Sequence, residues 1–322
     1  DVCSSDLTVS SRLLLRLEAL TGGLTRDAEL ERLAAALDRP ERSEPVEQPA
    51  PVPPLEDRPG RIVVTALDRL KADPFAFYAK VILGLTPLDP LEADQDARWK
   101  GDLVHHLLDD WQKEDGCDPD TLLARADALL AADDIHPMLR ALWGPRLREA
   151  FATFVEEERK RREAGRIAIA AEIKGTATIA GVELEGRADR IDWLPDGRLA
   201  IIDYKTGHPP TKKQVEAGYA LQLGLLGLIA EERGFPDVSG EAGAHEYWSL
   251  AKKKGSDQFG YVAAVDGDDP AAFRARAQEV FADAVGKWLT GTEPFTAKLA
   301  PAFAPYGDYD QLMRLEEWIG RR

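Results

Sequence analysis

The sequence predicts an α/β fold in which a mixed sheet is flanked by helices and carries an α-helical insertion. Apolar residues recur at helical spacing through most of the first half of the chain. Alternating or β-branched runs, separated by turns that contain glycine, follow between residues 166 and 205. A helical pattern, another strand and more helices come after them. This order of helix, strands, helix and strand favours a sandwich of helices around one sheet.

Two short amphipathic helices are expected within residues 1–40, which we interpret as the remnant of a preceding region. Residues 1–7 resemble a translated sequencing adapter, and we give them no functional weight. Residues 41–60 are rich in proline and acidic side chains and poor in large apolar ones, which predicts a linker. A globular domain is then expected over residues 61–322.

Five helices are predicted before the first strand, one of which begins after the Asp73-Pro74 start signal. They are Ala66–Lys71, Phe75–Leu83, Asp94–Glu114, Pro119–Ala132 and Pro137–Ala164. The strands expected next are Arg166–Ile173, Thr176–Ile179, Val182–Trp193 and Leu199–Lys205. The remaining elements are a helix at Thr211–Glu232, a strand at His245–Leu250 and helices at Pro270–Leu289 and Tyr309–Ile319.

Composition restricts the possible functions. The chain has 322 residues, of which 44% are hydrophobic, but no apolar run reaches the length of about 18 residues that a membrane span needs. Two cysteines, without a CxxC pair, argue against a disulfide framework or a zinc site. We therefore expect a cytoplasmic protein without a membrane partner. The net charge of −16 means that any contact with DNA must be local or shared with another subunit.

The turn Pro195-Asp196-Gly197 suits a three-residue hairpin loop with glycine in the left-handed conformation. In that register Asp189 and Asp203 lie directly opposite each other on adjacent strands. Strand alternation turns Lys205 to the same face as Asp203. Opposed carboxylates repel each other unless a cation lies between them, and Mg²⁺, with Mn²⁺ as a substitute, prefers such oxygen ligands. A lysine beside the metal could orient or deprotonate an attacking water.

Other candidates lie on the predicted helices. Tyr219 and Gln222 are three residues apart on the helix that follows, and so would share one face. His105 flanks an apolar helical stripe and could be a further metal ligand. Lys212 and Lys213, at a helix start close to the site, are candidates for contacts with DNA phosphates.

These motifs occur in an order that resembles the RecB branch of the PD-(D/E)XK nuclease superfamily, whose core is the restriction-endonuclease-like fold. The motifs are Gly101-x-x-x-His105, Gly186-Arg-Ala-Asp189-Arg-Ile-Asp192, Ile201-Ile-Asp203-Tyr-Lys205-Thr-Gly207 and Tyr219-x-x-Gln222-Leu. The segment Val64–Tyr78 is also similar to the start of the carboxy-terminal nuclease domain of the AddB family, a subunit of the bacterial AddAB helicase–nuclease.

The resemblance implies a role for each matching residue. His105, Asp189, Asp203 and the backbone carbonyl of Tyr204 would bind the metal, Lys205 would be the catalytic lysine, and Gln222 the last residue of the motif. Glu172 and Tyr219 are secondary candidates. Many AddB proteins bind an iron–sulfur cluster, with a cysteine at the position of Asp73 and three more near the end. No cysteine follows Cys117 here, so we expect apolar packing instead of a cluster.

Three functions remain in competition. The first is a nuclease module of an AddB-like subunit that cuts DNA during double-strand break repair, beside an AddA-like helicase–nuclease subunit and a preceding helicase-like region. The second is a stand-alone RecB-like exonuclease. The third is an inactive nuclease fold that only supports or guides DNA, which the presence of Asp189, Asp203 and Lys205 disfavours.

Overall fold

The structure is a computed structural model that describes residues 11–25, 27–37, 45–86, 88, 97–132, 137–267, 269–304 and 307–319. The chain divides into two compact units, Asp1–Glu47 and Gln48–Arg322. The first contains helices α1 (Arg12–Thr21) and α2 (Ala28–Leu37), neither of which has a buried residue. Ser11 begins α1 by accepting a hydrogen bond from the Leu14 N–H at 3.2 Å.

Helices dominate the first half of the second unit, as the sequence predicts. They are α3 (Leu67–Ala72), α4 (Pro74–Phe77, continued as a π-helix over Tyr78–Ile82), α5 (Ala97–Asp115), α6 (Leu122–Ala131) and α7 (Pro137–Glu163). Asp73 caps α4 through the Ala76 N–H, which agrees with the start signal seen in the sequence. The predicted beginning of α5 at residues 94–96 lies outside the described residues.

The sheet has six strands of mixed direction. They are β1 (Arg61–Val63), β2 (Ile167–Ile179), β3 (Val182–Trp193), β4 (Leu199–Lys205), β5 (Ala242–Lys252) and β6 (Phe259–Ala264). The strand order is β1-β3-β4-β5-β6, and β2 also pairs with β3. The β3 and β4 bounds match the prediction, whereas β2 is one strand instead of two. The short β1 and the glycine-containing β6 lack a periodic pattern long enough to be recognised in the sequence.

Helices cover both faces of this sheet. On one face, α9 (Gln222–Glu231) and α10 (Pro270–Ala284, continued as a π-helix over Val285–Leu289) pack with α3 against a large apolar core. On the other face, α5, α6 and α7 enclose a second core that includes Ile202, Tyr204 and Trp248. The expected α/β fold, a mixed sheet flanked by helices, is therefore confirmed.

Gly186 shows why glycine begins the motif on β3. A Cβ atom at this position would lie 2.6 Å from the Leu226 Cδ2 atom and 3.0 Å from the Val64 Cγ1 atom. A larger residue here would require Leu226 and Val64 to shift, so glycine favours the close packing of α9 onto β3.

Two helix predictions are wrong in extent. The predicted helix Thr211–Glu232 is broken into α8 (Lys212–Glu216) and α9, because Gly218 and Ala220 take positive φ angles of 78° and 58°. The predicted terminal helix Tyr309–Ile319 is reduced to α11 (Leu315–Trp318), since the Arg314 backbone has a positive φ of 53° before it.

The second half of the proline-rich segment differs from the expected linker. The carbonyls of Pro49 and Pro51 accept hydrogen bonds from the Ala297 and Phe295 N–H groups, both at 2.8 Å. Arg58 is buried and donates to the Trp288 carbonyl at 2.7 Å. Residues from Gln48 onward thus pack on the domain, because their backbone groups find partners that composition alone does not reveal. Within the described parts of the chain, no helix has the length and apolarity needed to cross a bilayer.

Candidate active site

The hairpin of β3 and β4 has the register expected from its turn. Arg190 pairs with Ile202 and Ile191 with Ile201, and Gly197 closes the loop with a φ of 81°. The paired residues end at Arg190 and Ile202, directly beside Asp189 on β3 and Asp203 on β4. The Tyr204 N–H donates to the Asp189 Oδ2 atom at 2.8 Å, so the main chain of β4 holds this carboxylate.

Three side chains from three elements meet at this point. His105 on α5 places its Nδ1 atom 3.3 Å from Glu172 Oε1 and 3.5 Å from Asp189 Oδ2. One potential ligand atom from each of His105, Glu172 and Asp189 lies within 4.8 Å of the others. Glu172 comes from β2 and has a left-handed backbone with a φ of 47°, which is uncommon for glutamate. We call His105, Glu172 and Asp189 the acidic cluster.

Asp203 adjoins the acidic cluster without belonging to that group of three. Its Oδ2 atom lies 2.6 Å from Lys205 Nζ, and its Oδ1 atom accepts a hydrogen bond from Gln222 Nε2 at 3.0 Å. The side chain of Asp203 is 4% exposed and that of Lys205 is 33% exposed. Lys205 therefore contacts a buried carboxylate while its own side chain remains partly exposed to solvent.

Charges are crowded in this region. Burial and the negative charge of Asp203 raise the pKa of Asp189 to about 7. Burial also raises the pKa of Asp203, although Lys205 opposes this. Burial disfavours the protonated form of His105, but its hydrogen bond to Glu172 and the charge of Asp189 outweigh that effect and raise the pKa of His105.

The donor set fits a divalent cation. Two carboxylates and an imidazole converge, with a third carboxylate beside them, and crowded acids of this kind are stabilised when a cation lies between them. Oxygen ligands suit Mg²⁺ and Mn²⁺, and both ions accept an imidazole nitrogen as a minority ligand. Burial and then the charge of Asp203 raise the pKa of Asp189, and a cation bound here would favour its charged form.

The side chains of the other candidates make contacts outside the acidic cluster. Tyr219 is in the break between α8 and α9, and its ring stacks on Phe303 at 4.0 Å between centroids, so the expectation of one helical face shared with Gln222 is wrong. Lys212 is exposed and lies 3.6 Å from Glu216, and Lys213 is also exposed. The side chain of Tyr204 is buried in the second core.

One participant was not singled out from the sequence. Arg187, within the motif of β3, places its Nε atom 3.0 Å from Glu172 Oε2 and so holds that carboxylate from the solvent side. Its position two residues before Asp189 was a usable signal, because strand alternation turns residues two apart to one face. The side chain of Arg187 is 58% exposed, which leaves it accessible to a ligand.

Comparison with known families agrees with this geometry. A model of the PD-(D/E)XK nuclease superfamily matches residues 61–299, which include every strand of the sheet and the acidic cluster. The chain belongs to the PD-(D/E)XK nuclease superfamily.

The curated relatives are uncharacterised proteins of Rickettsia. One from Rickettsia bellii is 32% identical over 191 residues, which are 55% of this chain and 22% of the relative. Another, RT0391 of Rickettsia typhi, is 30% identical over 190 residues, again 55% of this chain and 22% of the relative. The matched part is thus about a fifth of the length of these relatives.

Solved structures are more distant. A provisionally assigned exonuclease from Eubacterium rectale is 12% identical, with a TM-score of 0.45 over 77% of this chain and 88% of that one. An alkaline exonuclease from Laribacter hongkongensis is 13% identical, with a TM-score of 0.23 over 71% and 90% of the two chains. At these scores the likeness in overall shape is weak.

Proposed function

We propose that this chain is a divalent-metal-dependent module that hydrolyses phosphodiester bonds of DNA. The observation that carries the proposal is the acidic cluster, which adjoins Asp203 and Lys205 at the end of β4. Membership of a nuclease superfamily supports DNA as the substrate.

Each residue of the site has a proposed role. His105, Glu172, Asp189 and Asp203, with the carbonyl of Tyr204, would hold Mg²⁺ or Mn²⁺. When bound, the cation would polarise the phosphodiester and supply an activated water. We therefore assign Glu172, a secondary candidate in the sequence, as a metal ligand, because its carboxylate belongs to the acidic cluster.

Lys205 is placed to act on the attacking water. Its Nζ atom contacts Asp203 at 2.6 Å and lies 5.5 Å from the centre of the Tyr247 ring, so its position is defined from two sides. A fixed ammonium group there would orient the water and stabilise the charge that develops on the phosphate oxygens. Gln222 would fix the carboxylate of Asp203 through its amide.

The biological role that we propose is that of an AddB-like subunit that processes broken DNA ends in the cytoplasm for recombinational repair. In the Rickettsia relatives the matching segment is 22% of a much longer chain, which supports a module within a larger subunit. The net charge of −16 favours an assembly in which an AddA-like helicase–nuclease subunit provides much of the grip on DNA.

The test is cleavage of labelled single-stranded DNA with Mg²⁺ by the intact chain and by Lys205→Ala and Asp203→Ala. We expect cleavage by the wild type and a loss of about 100-fold or more in both variants, because each removes a group used in the transition state. Lys80→Ala is the matched control, since Lys80 is exposed on the π-helical continuation of α4. Equal cleavage by all four proteins would overturn the site assignment.

A further inference from the structure

A cavity of about 690 Å³ opens between the loop that follows β4 and the turn that joins β5 to β6. Its walls include His208 from the loop, and Lys252, Lys253, Lys254 and Tyr261 from the hairpin. We call these five residues the basic groove.

The basic groove is positively charged in a chain whose net charge is −16. Asp257 is the acidic residue among those that line the cavity, and it pairs with Lys252 at 2.6 Å. Lys253 and Lys254 are exposed, and no residue in the described ranges forms an ion pair with either of them. Two lysines are therefore available to an anionic ligand at one surface.

An aromatic ring lies beside these lysines. Tyr261 on β6 is half-buried, and its hydroxyl lies 3.4 Å from the Nδ1 atom of His208. Cations that follow a phosphate backbone, combined with a ring on which a base can stack, are the elements of a surface for single-stranded nucleic acid. A duplex would not offer a free base face to such a ring.

The basic groove is also close to the catalytic lysine. β4 and β5 are parallel, with Lys205 paired to Ser249, so both strands end at the same edge of the sheet. The Ser249 hydroxyl donates to the Gly207 carbonyl at 2.9 Å and holds the loop against β5. His208 is three residues beyond Lys205, so their Cα atoms are at most about 11 Å apart.

We propose that the basic groove binds the single-stranded DNA that flanks the scissile phosphate. Lys253 and Lys254 contact backbone phosphates, and Tyr261 stacks on a base. This inference rests on the proposed function, because it supplies that site with a route for its substrate. It also explains how a strongly acidic chain could hold DNA locally.

The test compares wild type with the double variant Lys253→Glu/Lys254→Glu. Affinity for a labelled oligothymidylate is measured by fluorescence anisotropy in the presence of EDTA, so that cleavage does not contribute. We expect at least tenfold weaker binding, and a log–log salt dependence that is shallower by about 1.4 for two lost phosphate contacts. Tyr261→Ala should also weaken binding, whereas Tyr261→Phe should retain most of it.

The matched control is Lys80→Glu/Arg233→Glu, which makes the same change in net charge on exposed residues outside the groove. Equal binding losses in the two double variants, or wild-type binding by Lys253→Glu/Lys254→Glu, would overturn the proposal.

A second readout separates this proposal from the proposed function. Hydrolysis of an oligonucleotide is compared with hydrolysis of bis(p-nitrophenyl) phosphate, which is too small to span the groove. In Lys253→Glu/Lys254→Glu, the hydrolysis rate should fall by at least ten times more for the oligonucleotide than for bis(p-nitrophenyl) phosphate. Lys205→Ala should hydrolyse neither substrate. A binding loss in a chain that cleaves neither substrate would support the groove and contradict the proposed function.

Discussion

Glu172 differs from the other carboxylates of the site in its backbone. Its φ of 47° interrupts the pairing of β2 with β3, which skips from Ala171 to Ile173. This conformation turns the side chain toward His105. Strand periodicity carries no signal for such a local departure, which explains why Glu172 was predicted only as a secondary candidate.

Glu172→Gln should raise the Mg²⁺ concentration needed for half-maximal DNA cleavage by more than tenfold, which corresponds to about 1.4 kcal/mol. The amide keeps the size of the side chain but removes a charge from the acidic cluster. Metal titrations of cleavage rate measure this effect. Glu183→Gln, an exposed position on β3, is the control. An unchanged metal requirement in Glu172→Gln would exclude Glu172 as a ligand.

At the residue scale, the sequence predicted the register of the β3–β4 hairpin, because a short loop fixes that register. It could not predict which groups Asp203 contacts. The Gln222 side chain, for example, donates to Asp203. That contact depends on where α9 begins, and this is determined by tertiary structure.

The break between α8 and α9 is determined by α3. The Ala220 N–H donates to Asp68 Oδ2 at 2.8 Å, and Lys71 donates to the Gly218 carbonyl. The Lys71 Nζ atom also lies 4.2 Å from the centre of the Tyr219 ring. These contacts satisfy the Ala220 N–H and the Gly218 carbonyl outside a helix, so a sequence with continuous helical periodicity forms two helices.

Asp68→Ala should lower the rate of DNA cleavage by about tenfold, while the free energy of unfolding falls by only about 1 kcal/mol. The lost acceptor frees the turn that presents Gln222 to Asp203. Single-turnover kinetics and urea denaturation measure the two effects. Asp68→Asn retains an acceptor and should restore most of the rate, and Asp283→Ala on α10 is the exposed control. A rate loss of equal size in Asp68→Asn would contradict this role.

A buried ion network joins α7 to the sheet. Arg166 contacts Asp192 at 2.7 Å and Glu246 at 2.8 Å, and Arg190 contacts Asp192 at 2.6 Å. The side chain of Asp192 is fully buried and is held by these two arginines. Burial opposes ionisation of Glu246, but Arg166 and Arg161 outweigh it and lower the pKa of Glu246 to about 2.

The lowered pKa of Glu246 makes the stability of the fold depend on pH. A folded-state pKa of about 2, below the ordinary 4.5, stabilises the fold above pH 4.5, and that stability is lost as the pH falls from about 4.5 to about 2. The contribution is on the order of 3 kcal/mol. Glu246→Gln should therefore be less stable at pH 7 and lose less stability on acidification. Urea unfolding at pH 7, 5 and 3.5 tests this, with the exposed Glu232→Gln as control. Equal pH slopes in Glu246→Gln and wild type would contradict it.

At the scale of the molecule, an ion triad joins the start of the domain to its end. Lys298 Nζ lies 3.4 Å from Asp73 Oδ2 and 2.7 Å from Asp310 Oδ1, and the Lys298 N–H donates to Asp73 Oδ1 at 3.1 Å. Apolar packing was expected between these two ends of the domain in place of an iron–sulfur cluster. Phe75, Tyr309 and other side chains do form a small apolar core. Asp73 adds a buried polar contact that the sequence did not suggest, because its partner is 225 residues away.

Lys298→Ala should lower the free energy of unfolding by about 3–5 kcal/mol, because it leaves the buried carboxylate of Asp73 without its cation. Lys287→Ala, which breaks an exposed pair with Asp283, should cost no more than about 0.5 kcal/mol. Urea denaturation monitored by tryptophan fluorescence compares the two variants. A Lys298→Ala protein as stable as Lys287→Ala would show that the triad contributes little.

Long periodic elements made the fold predictable. The sheet hairpin and helices α5–α7 follow from apolar patterns that extend over many residues. Strand β1 and the packing of residues from Gln48 onward depend on distant partners, such as Glu183 for Arg61, and composition does not encode them. The sequence therefore predicted the central part of the domain better than its edges.

The most direct test of the central claim is the position of a bound metal ion. A crystal structure of the intact chain grown with Mn²⁺ is expected to show an anomalous difference peak among His105, Glu172 and Asp189, at about 2.0–2.2 Å from the carboxylate oxygens. The peak should disappear in Asp189→Asn crystals grown in the same conditions. A chain that cleaves DNA with Mn²⁺ while its metal peak lies elsewhere would contradict the account.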